Sequence, residues 1–239
     1  MKFKSYGSRM TTAIITGGSQ GFGRALTAHL VNDGWTVIID GRNTDAVLIT
    51  AAQLGPNVIP VPGDITDAVH RDNLIAAAER TGGLDLLVNN ASSLGPSPMP
   101  TIASFPIDAI GDVFRTNAGA PLALMQVALP LLKQSPHPAI ANVTSDAAHG
   151  AYEGWGMYGA SKAALEQLSN VLAAEEPWLR VWWFDPGDMR TQMHQDAFPG
   201  EDISDRPLPE AVAVPSFARL LHDRPASGFV RAEEFAEVA

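Results

Sequence analysis

The stretch TAIITGGSQGFGRALTAHLVNDGWTVIID, residues 12–40, decides the fold. A short apolar, β-branched run ends in glycines at 17, 18, 21 and 23, passes into a helix-length segment, and returns to a second apolar run. Both runs are continuous instead of alternating, as a strand covered on both faces requires. Strand, helix and strand in this order predict a parallel pair joined by a right-handed crossover. The glycine turn between them suits a phosphate. Glycine lets the backbone approach a pyrophosphate, and the start of the helix offers free N–H groups at its positive end. The G-x-x-x-G-x-G spacing differs from the general G-x-G-x-x-G fingerprint, so the turn is read from its context as much as from its letters.

The same alternation continues along the chain. Further strands are predicted at 57–61, 84–89, 139–144, 180–184 and 228–230, with helices over 44–54, 67–80, 106–134 and 158–176. The expected architecture is α/β: a Rossmann-like, doubly wound, mostly parallel seven-stranded sheet with helices on both faces. One domain is expected over 11–239, preceded by a loose tail or cloning remnant at 1–10. The segment 186–209, PGDMRTQMHQDAFPGEDISDRPLP, is rich in Pro, Gly and acid, and is expected to form a substrate-binding loop or lid.

Composition narrows the function. The 239 residues are 46% hydrophobic and 18% charged, ordinary for a folded globule and ample for one core. A formal charge of −10 argues against nucleic acid as a partner, because phosphate contact needs a basic face. With no cysteine, disulfides, thiolate metal sites and cysteine nucleophiles are excluded. The six histidines show no metal-ligand spacing, and no metal is expected. The most apolar run, 118–132, contains Pro121, Gln126 and Pro130 and is too short to span a bilayer. The start lacks the apolar stretch of a secretion signal, and a soluble, cytoplasmic protein is expected.

A second stretch carries chemistry: GMYGASKAAL, residues 156–165. One of only three tyrosines sits four residues before a lysine, so on a helix Tyr158 and Lys162 share a face. The surrounding Gly159, Ala160, Ser161, Ala163 and Ala164 leave that face open. Taken alone, Y-x-x-x-K is most simply an aromatic ring packed over a lysine stem. The sharper alternative is a tyrosine whose acidity is set by a fixed cation.

The motifs TGGSQGFG, GDITD, VNNAS, NVTS, MYGASK and DPGDMRT occur in an order and at spacings that resemble the short-chain dehydrogenase/reductase family, its small single-domain branch. The resemblance covers roughly Thr11 to Val230. It implies a cofactor-phosphate turn at Gly17, Ser19, Gly21, Phe22 and Gly23, and an adenine pair at Asp64 and Ile65. Asn89, Asn90 and Ala91 would line the adenosine ribose, with Ser92 standing where the family usually has glycine. Pro186, Gly187 and Thr191 would hold the nicotinamide carboxamide. Asn117, Ser145, Tyr158 and Lys162 would form the catalytic set. In that set Tyr158 exchanges the proton, its pKa lowered by the Lys162 ammonium and the positive nicotinamide ring. Ser145 holds the substrate oxygen, Lys162 also binds the ribose, and Asn117 anchors a relay water. His149 and Trp155, between Ser145 and Tyr158, are candidates to touch substrate.

The expected activity is hydride transfer between a nicotinamide cofactor and a small-molecule carbonyl or secondary alcohol. NADP(H) is expected over NAD(H), because the family's NAD-selective carboxylate position falls on Gly41 and the next residue is Arg42. Asp40 is the counter-argument, but strand alternation should turn it to the other face. Two other functions share the fold: a cofactor-sensing protein without turnover, and a reductase of carrier-bound acyl chains. The family resemblance and the apolar 106–134 helix point to a homodimer or homotetramer, although the C-terminus GFVRAEEFAEVA lacks the family's glycine-rich ending.

Overall fold

A computed structural model describes residues 11–235; the tail expected at 1–10 lies outside the described residues. The elements in chain order are β1 (Thr12–Ile15), α1 (Gly21–Asn32), β2 (Thr36–Gly41), α2 (Thr44–Leu54), β3 (Val58–Pro62), α3 (Ala68–Arg80) and β4 (Leu86–Asn89). Then follow α4 (Ile110–Phe114), α5 (Ala120–Leu132), β5 (Ala139–Val143), α6 (Gly156–Glu175), β6 (Arg180–Asp185), α7 (Gln192–Ala197), α8 (Ala213–Asp223), β7 (Gly228–Arg231) and α9 (Ala232–Phe235). The seven strands form one sheet in the order β3-β2-β1-β4-β5-β6-β7. Every neighbouring pair is parallel, where the sequence reading allowed a mixed sheet.

Alternation within the buried strands divides the core in two. Ala13, Ile15, Val37 and Ile39 face the layer that contains α1 and α8, while Ile14 and Ile38 face the layer of α3 and α5. Both faces are covered, which explains the unbroken apolar runs. Helix starts are set locally: the Asn43 side chain accepts from Ala46 N at 3.0 Å, and that of Asp67 from Val69 N at 3.0 Å.

Two segments differ from the sequence expectation. The helix expected over 106–134 is interrupted: α4 is followed by a π-helical turn at Arg115–Gly119 before α5 begins. The segment 186–209 is not wholly irregular, since α7 lies within it and Arg206 pairs with Asp188 at 3.4 Å. A further helix, α8, had no counterpart in the sequence reading. Its Phe217, Leu220 and Leu221 are buried on one face, and Pro215 sits in its first turn, where a missing N–H costs no hydrogen bond. Trp182 on β6 is fully buried; its indole N–H donates to Pro225 O at 3.3 Å and the Arg224 guanidinium lies over its ring.

Because all strands run the same way, the chain following β1, β4, β5 and β6 emerges at one edge of the sheet. The strand order reverses there between β1 and β4, the place where open α/β sheets bind ligands.

Candidate active site

A single cavity of about 880 Å³ runs along this edge. At one end Gly17, Ser19, Gly21 and Phe22 line it, together with Gly41, Arg42, Asp64, Ile65, Asn90 and Ala91. At the other are Ser145, Trp155, Tyr158, Lys162, Pro186, Gly187 and Thr191. The residues singled out in the sequence that stand outside its lining are Gly23, Asn89, Asn117 and His149.

The glycine turn is held from beneath by Asp40. The Gly17 N–H donates to Asp40 Oδ1 at 2.6 Å, the Gly18 N–H donates to the Asp40 carbonyl at 3.1 Å, and Asp40 Oδ2 meets His70 Nε2 at 3.0 Å. Asp40 and His70 are both buried; one carboxylate oxygen holds the turn and the other meets His70, and Asp40 lines the cavity instead of turning to the opposite face as strand alternation suggested. Gly17 has φ +64°, which a side chain would resist. Gly23 serves by packing: a Cβ there would lie 2.4 Å from the Gly17 carbonyl oxygen. No side chain caps α1, so its first N–H groups remain available at the cavity. A cavity this long, backed by glycines that admit no Cβ and by an uncapped helix start, fits a dinucleotide.

Beyond the turn, Asp64 accepts from Thr66 N at 2.9 Å and Thr66 Oγ1 at 2.8 Å; the backbone bond is the largest cause holding its carboxyl below the ordinary value. Asn90 donates to Thr16 O at 2.8 Å, tying the β4 end to the turn. Asn89 is not at the ribose side: it is buried within the sheet and donates to Asn142 Oδ1 at 2.7 Å. As the last residue of β4 it follows the pleat inward, whereas Asn90 and Ala91 lie past the strand end.

At the other end, α6 presents Tyr158 and Lys162 on one face. Lys162 is 1% exposed and donates to Val143 O at 2.8 Å, and its ammonium lies 5.5 Å from the centre of the Tyr158 ring. Burial pulls the lysine pKa down to about 8, opposed by the Glu166 charge. Burial also pushes the Tyr158 phenol up to about 12, with the hydroxyls of Ser92 and Ser145 pulling it back and Asp185 and Asp146 adding to the rise. This is the reverse of the depression expected from the sequence. Loss of water around the buried ring is the largest cause.

Asn117 falls in the π-helical turn and is fully buried. Its Nδ2 donates to Ser93 O at 2.8 Å and Ser161 Oγ at 2.9 Å, and its Oδ1 accepts from Ser93 N at 2.8 Å and Ser92 Oγ at 3.2 Å. The residue thus ties the chain after β4 to α6, and its side chain is fully used. π turns inside helices are rare and concentrate at functional sites. Ser145 Oγ accepts from Ala147 N at 3.1 Å and donates to Asp146 Oδ1 at 3.1 Å. Pro186 and Gly187, at φ +70°, form the turn after β6, where Asp185 Oδ1 accepts from Gly187 N at 3.0 Å. Thr191 caps α7 by accepting from His194 N at 3.2 Å.

Of the two substrate candidates, Trp155 lines the cavity and meets Tyr158 edge-on at 5.6 Å. His149 does not line it. Its Nε2 lies 2.9 Å from Glu166 Oε2, and its ring packs edge-on against Phe229. The sequence reading gave no role to Ser92, His70 or Glu166. Only Ser92 stood out in the sequence, as a hydroxyl in a glycine position.

The packing of Gly23 makes a direct prediction. Gly23→Ala forces the turn away from its seat, lowering stability by about 1–3 kcal/mol and weakening dinucleotide affinity, as read by thermal unfolding and by NADPH fluorescence titration. Wild-type affinity in a folded Gly23→Ala variant contradicts the cradle.

Comparison with known proteins gives a consistent picture. The family model for short chain dehydrogenase matches residues 11–202. The chain is 31% identical over 200 residues to sepiapterin reductase of Bos taurus, covering 77% of this chain and 75% of that protein. It is 35% identical over 186 residues to serine 3-dehydrogenase of Agrobacterium fabrum, covering 76% and 73%. Among solved structures, a short chain dehydrogenase from Shigella flexneri complexed with NADP superposes with a TM-score of 0.87 at 28% identity, over 94% of this chain and 98% of that one. Matches of this extent to sequence and fold, together with the glycine cradle and the Tyr158–Lys162 pair in one cavity, make the chain a member of the short-chain dehydrogenase/reductase family of nicotinamide-dependent oxidoreductases.

Proposed function

We propose that this protein is an NADP(H)-preferring carbonyl reductase or alcohol dehydrogenase in which Tyr158 is the general acid and base. The observation that carries the reading is the buried Tyr158–Lys162 pair, placed beside Ser145 in the cavity that continues to the glycine turn. The nicotinamide, when bound, supplies or accepts the hydride.

The residues of the chain supply the rest. Ser145 Oγ, now donating to Asp146, turns its hydroxyl to the substrate oxygen and holds it beside Tyr158. The phenol, pushed up to about 12, is protonated at neutral pH, the form that carbonyl reduction needs. Once the proton is given, the Lys162 ammonium stabilises the phenolate; this charge is present below a pH of about 8 and is lost above it. Trp155 and Phe198, 5.8 Å apart, form an aromatic wall over the reacting centre. Asp146, Glu153 and Asp188 also line this end, which disfavours an acidic carrier protein as the bearer of substrate.

The cofactor preference rests on the other end. Asp40 lines the cavity, but each of its oxygens is already engaged, one by the Gly17 N–H and one by His70, which weakens its competition for the ribose. At Gly41 a Cβ would lie 3.0 Å from Val47 and 3.1 Å from Ser19 Oγ, so the usual NAD-selective side chain has little room. Arg42 lines the cavity beside it and suits a 2′-phosphate. Similar solved structures from Shigella flexneri and Escherichia coli are complexed with NADP and NADPH. Self-association is supported by Leu122 and Val127 on α5 and Val171 on α6, which remain exposed on the outer faces of these helices.

Three measurements test this reading. With NADPH and a panel of carbonyl compounds, Tyr158→Phe lowers turnover to below about a hundredth of wild type while NADPH affinity stays nearly intact; retention of a tenth of the rate removes the general-acid assignment. Arg42→Ala lowers kcat/KM for NADPH by about tenfold and leaves that for NADH unchanged, whereas equal use of both cofactors by the wild type overturns the preference. Light scattering at micromolar concentration gives at least a dimer, and a monomeric mass refutes the association.

A further inference from the structure

α6 carries a third buried polar group on the face of Tyr158 and Lys162. Glu166, one turn beyond the lysine, is 8% exposed. Its Oε1 accepts from Thr144 Oγ1 at 2.7 Å, and its Oε2 lies 2.9 Å from His149 Nε2. The His149 side chain is 48% exposed, so it stands between Glu166 and solvent. The β5 end is therefore clasped at successive residues by successive turns of one helix. Lys162 holds the Val143 carbonyl, Glu166 holds the Thr144 hydroxyl, and the next residue is Ser145.

Burying a carboxylate is costly unless it does something that an apolar side chain cannot. The charged groups that act on Glu166 are Lys162 on its own helix, His149 from the chain after β5, and Asp185 at the end of β6. Asp185 in turn feels Asp146, Arg231 and Glu233. Glu166 is the carboxylate whose field favours the charged form of Lys162 against burial. Resting on the oxidoreductase reading above, we propose that Glu166 is a positioning residue of the active site. It fixes Ser145 through Thr144 and keeps the Lys162 ammonium charged, while His149 holds its second oxygen in place at the solvent side.

The sign of the pH effect follows. The Lys162 charge predominates below its value of about 8 and is lost as pH rises through it. Removing a favourable negative charge moves that loss to lower pH. Glu166→Gln retains an acceptor for Thr144 but carries no charge. In this variant kcat falls about tenfold and the alkaline limb of kcat against pH moves down by about one unit. NADPH affinity against pH, measured by fluorescence and needing no turnover, shows the same displacement because Lys162 is expected to bind the ribose. Glu166→Asp, which restores the charge, returns the limb towards wild type. A folded Glu166→Gln variant whose alkaline limb superimposes on wild type in both measurements overturns the proposal.

Thr144→Val separates the two parts of the role, since it removes the hydroxyl and leaves the charge. It lowers kcat without moving the limb, and Thr144→Ser restores kcat; a Thr144→Val enzyme with wild-type kcat overturns the hold on Ser145. These variants also keep the proposal testable if Glu166→Gln fails to fold. Absence of turnover by the wild type with every carbonyl compound refutes the activity on which the proposal rests, while the binding limb still decides whether Glu166 sets the charge of Lys162.

Discussion

A carboxylate without access to water, Asp40, governs how the cofactor end of this molecule is built. It sits near the end of β2, receives the N–H of Gly17 from the turn after β1, and meets His70 on α3. A buried acceptor of this kind must find donors or cost the fold dearly. Both of its oxygens are met by groups from other elements, so the turn, the second strand and the third helix keep one relative placement. The backbone that faces the pyrophosphate inherits its position from that placement.

The catalytic end follows a parallel logic with opposite charge. There a cation is buried: Lys162 donates a hydrogen bond to a strand carbonyl, and neighbouring polar groups interlock around it. Asn117, Ser161, Ser93 and Ser92 form a bonded cluster between the chain after β4 and α6, with Ser161 donating to the Tyr158 carbonyl at 2.6 Å. Such networks rigidify when every member has a partner. Desolvation then does the tuning, driving the phenol towards its protonated form and the ammonium towards its neutral form.

Much of this was legible in the amino-acid order because it depends on local rules. Continuous apolar runs gave the strands, glycines between strand and helix gave the turn, and four-residue spacing put Tyr158 above Lys162. Properties that depend on distant partners were not legible. Asp40 could be placed on a face, but its bond to His70, thirty residues away, belongs to the tertiary structure. Glu166 looks like any polar residue on a long helix until β5 and the chain after it are packed against it. The expected fall in the Tyr158 pKa failed for a related reason: spacing shows that a cation is near, and says nothing about how much water is absent. The helix α8 had no counterpart in the sequence reading; Pro215 lies in its first turn, where it is harmless.

The π turn at Arg115–Gly119 has a consequence of a different kind. A π turn accommodates one residue more than an α turn, so the path from α4 to α5 contains a residue that a regular helix would not need. Excising one residue there would let the main chain return to uniform α-helical bonding, and would rotate every side chain on one side of the cut by about 100° relative to the other. Asn117 stands within the turn. Its aim at Ser93 and Ser161 is therefore held by a number of residues as well as by their identities. Information of that sort is invisible to exchanging one amino acid for another. It is a matter of count, and it makes this part of the active site intolerant of a change in length.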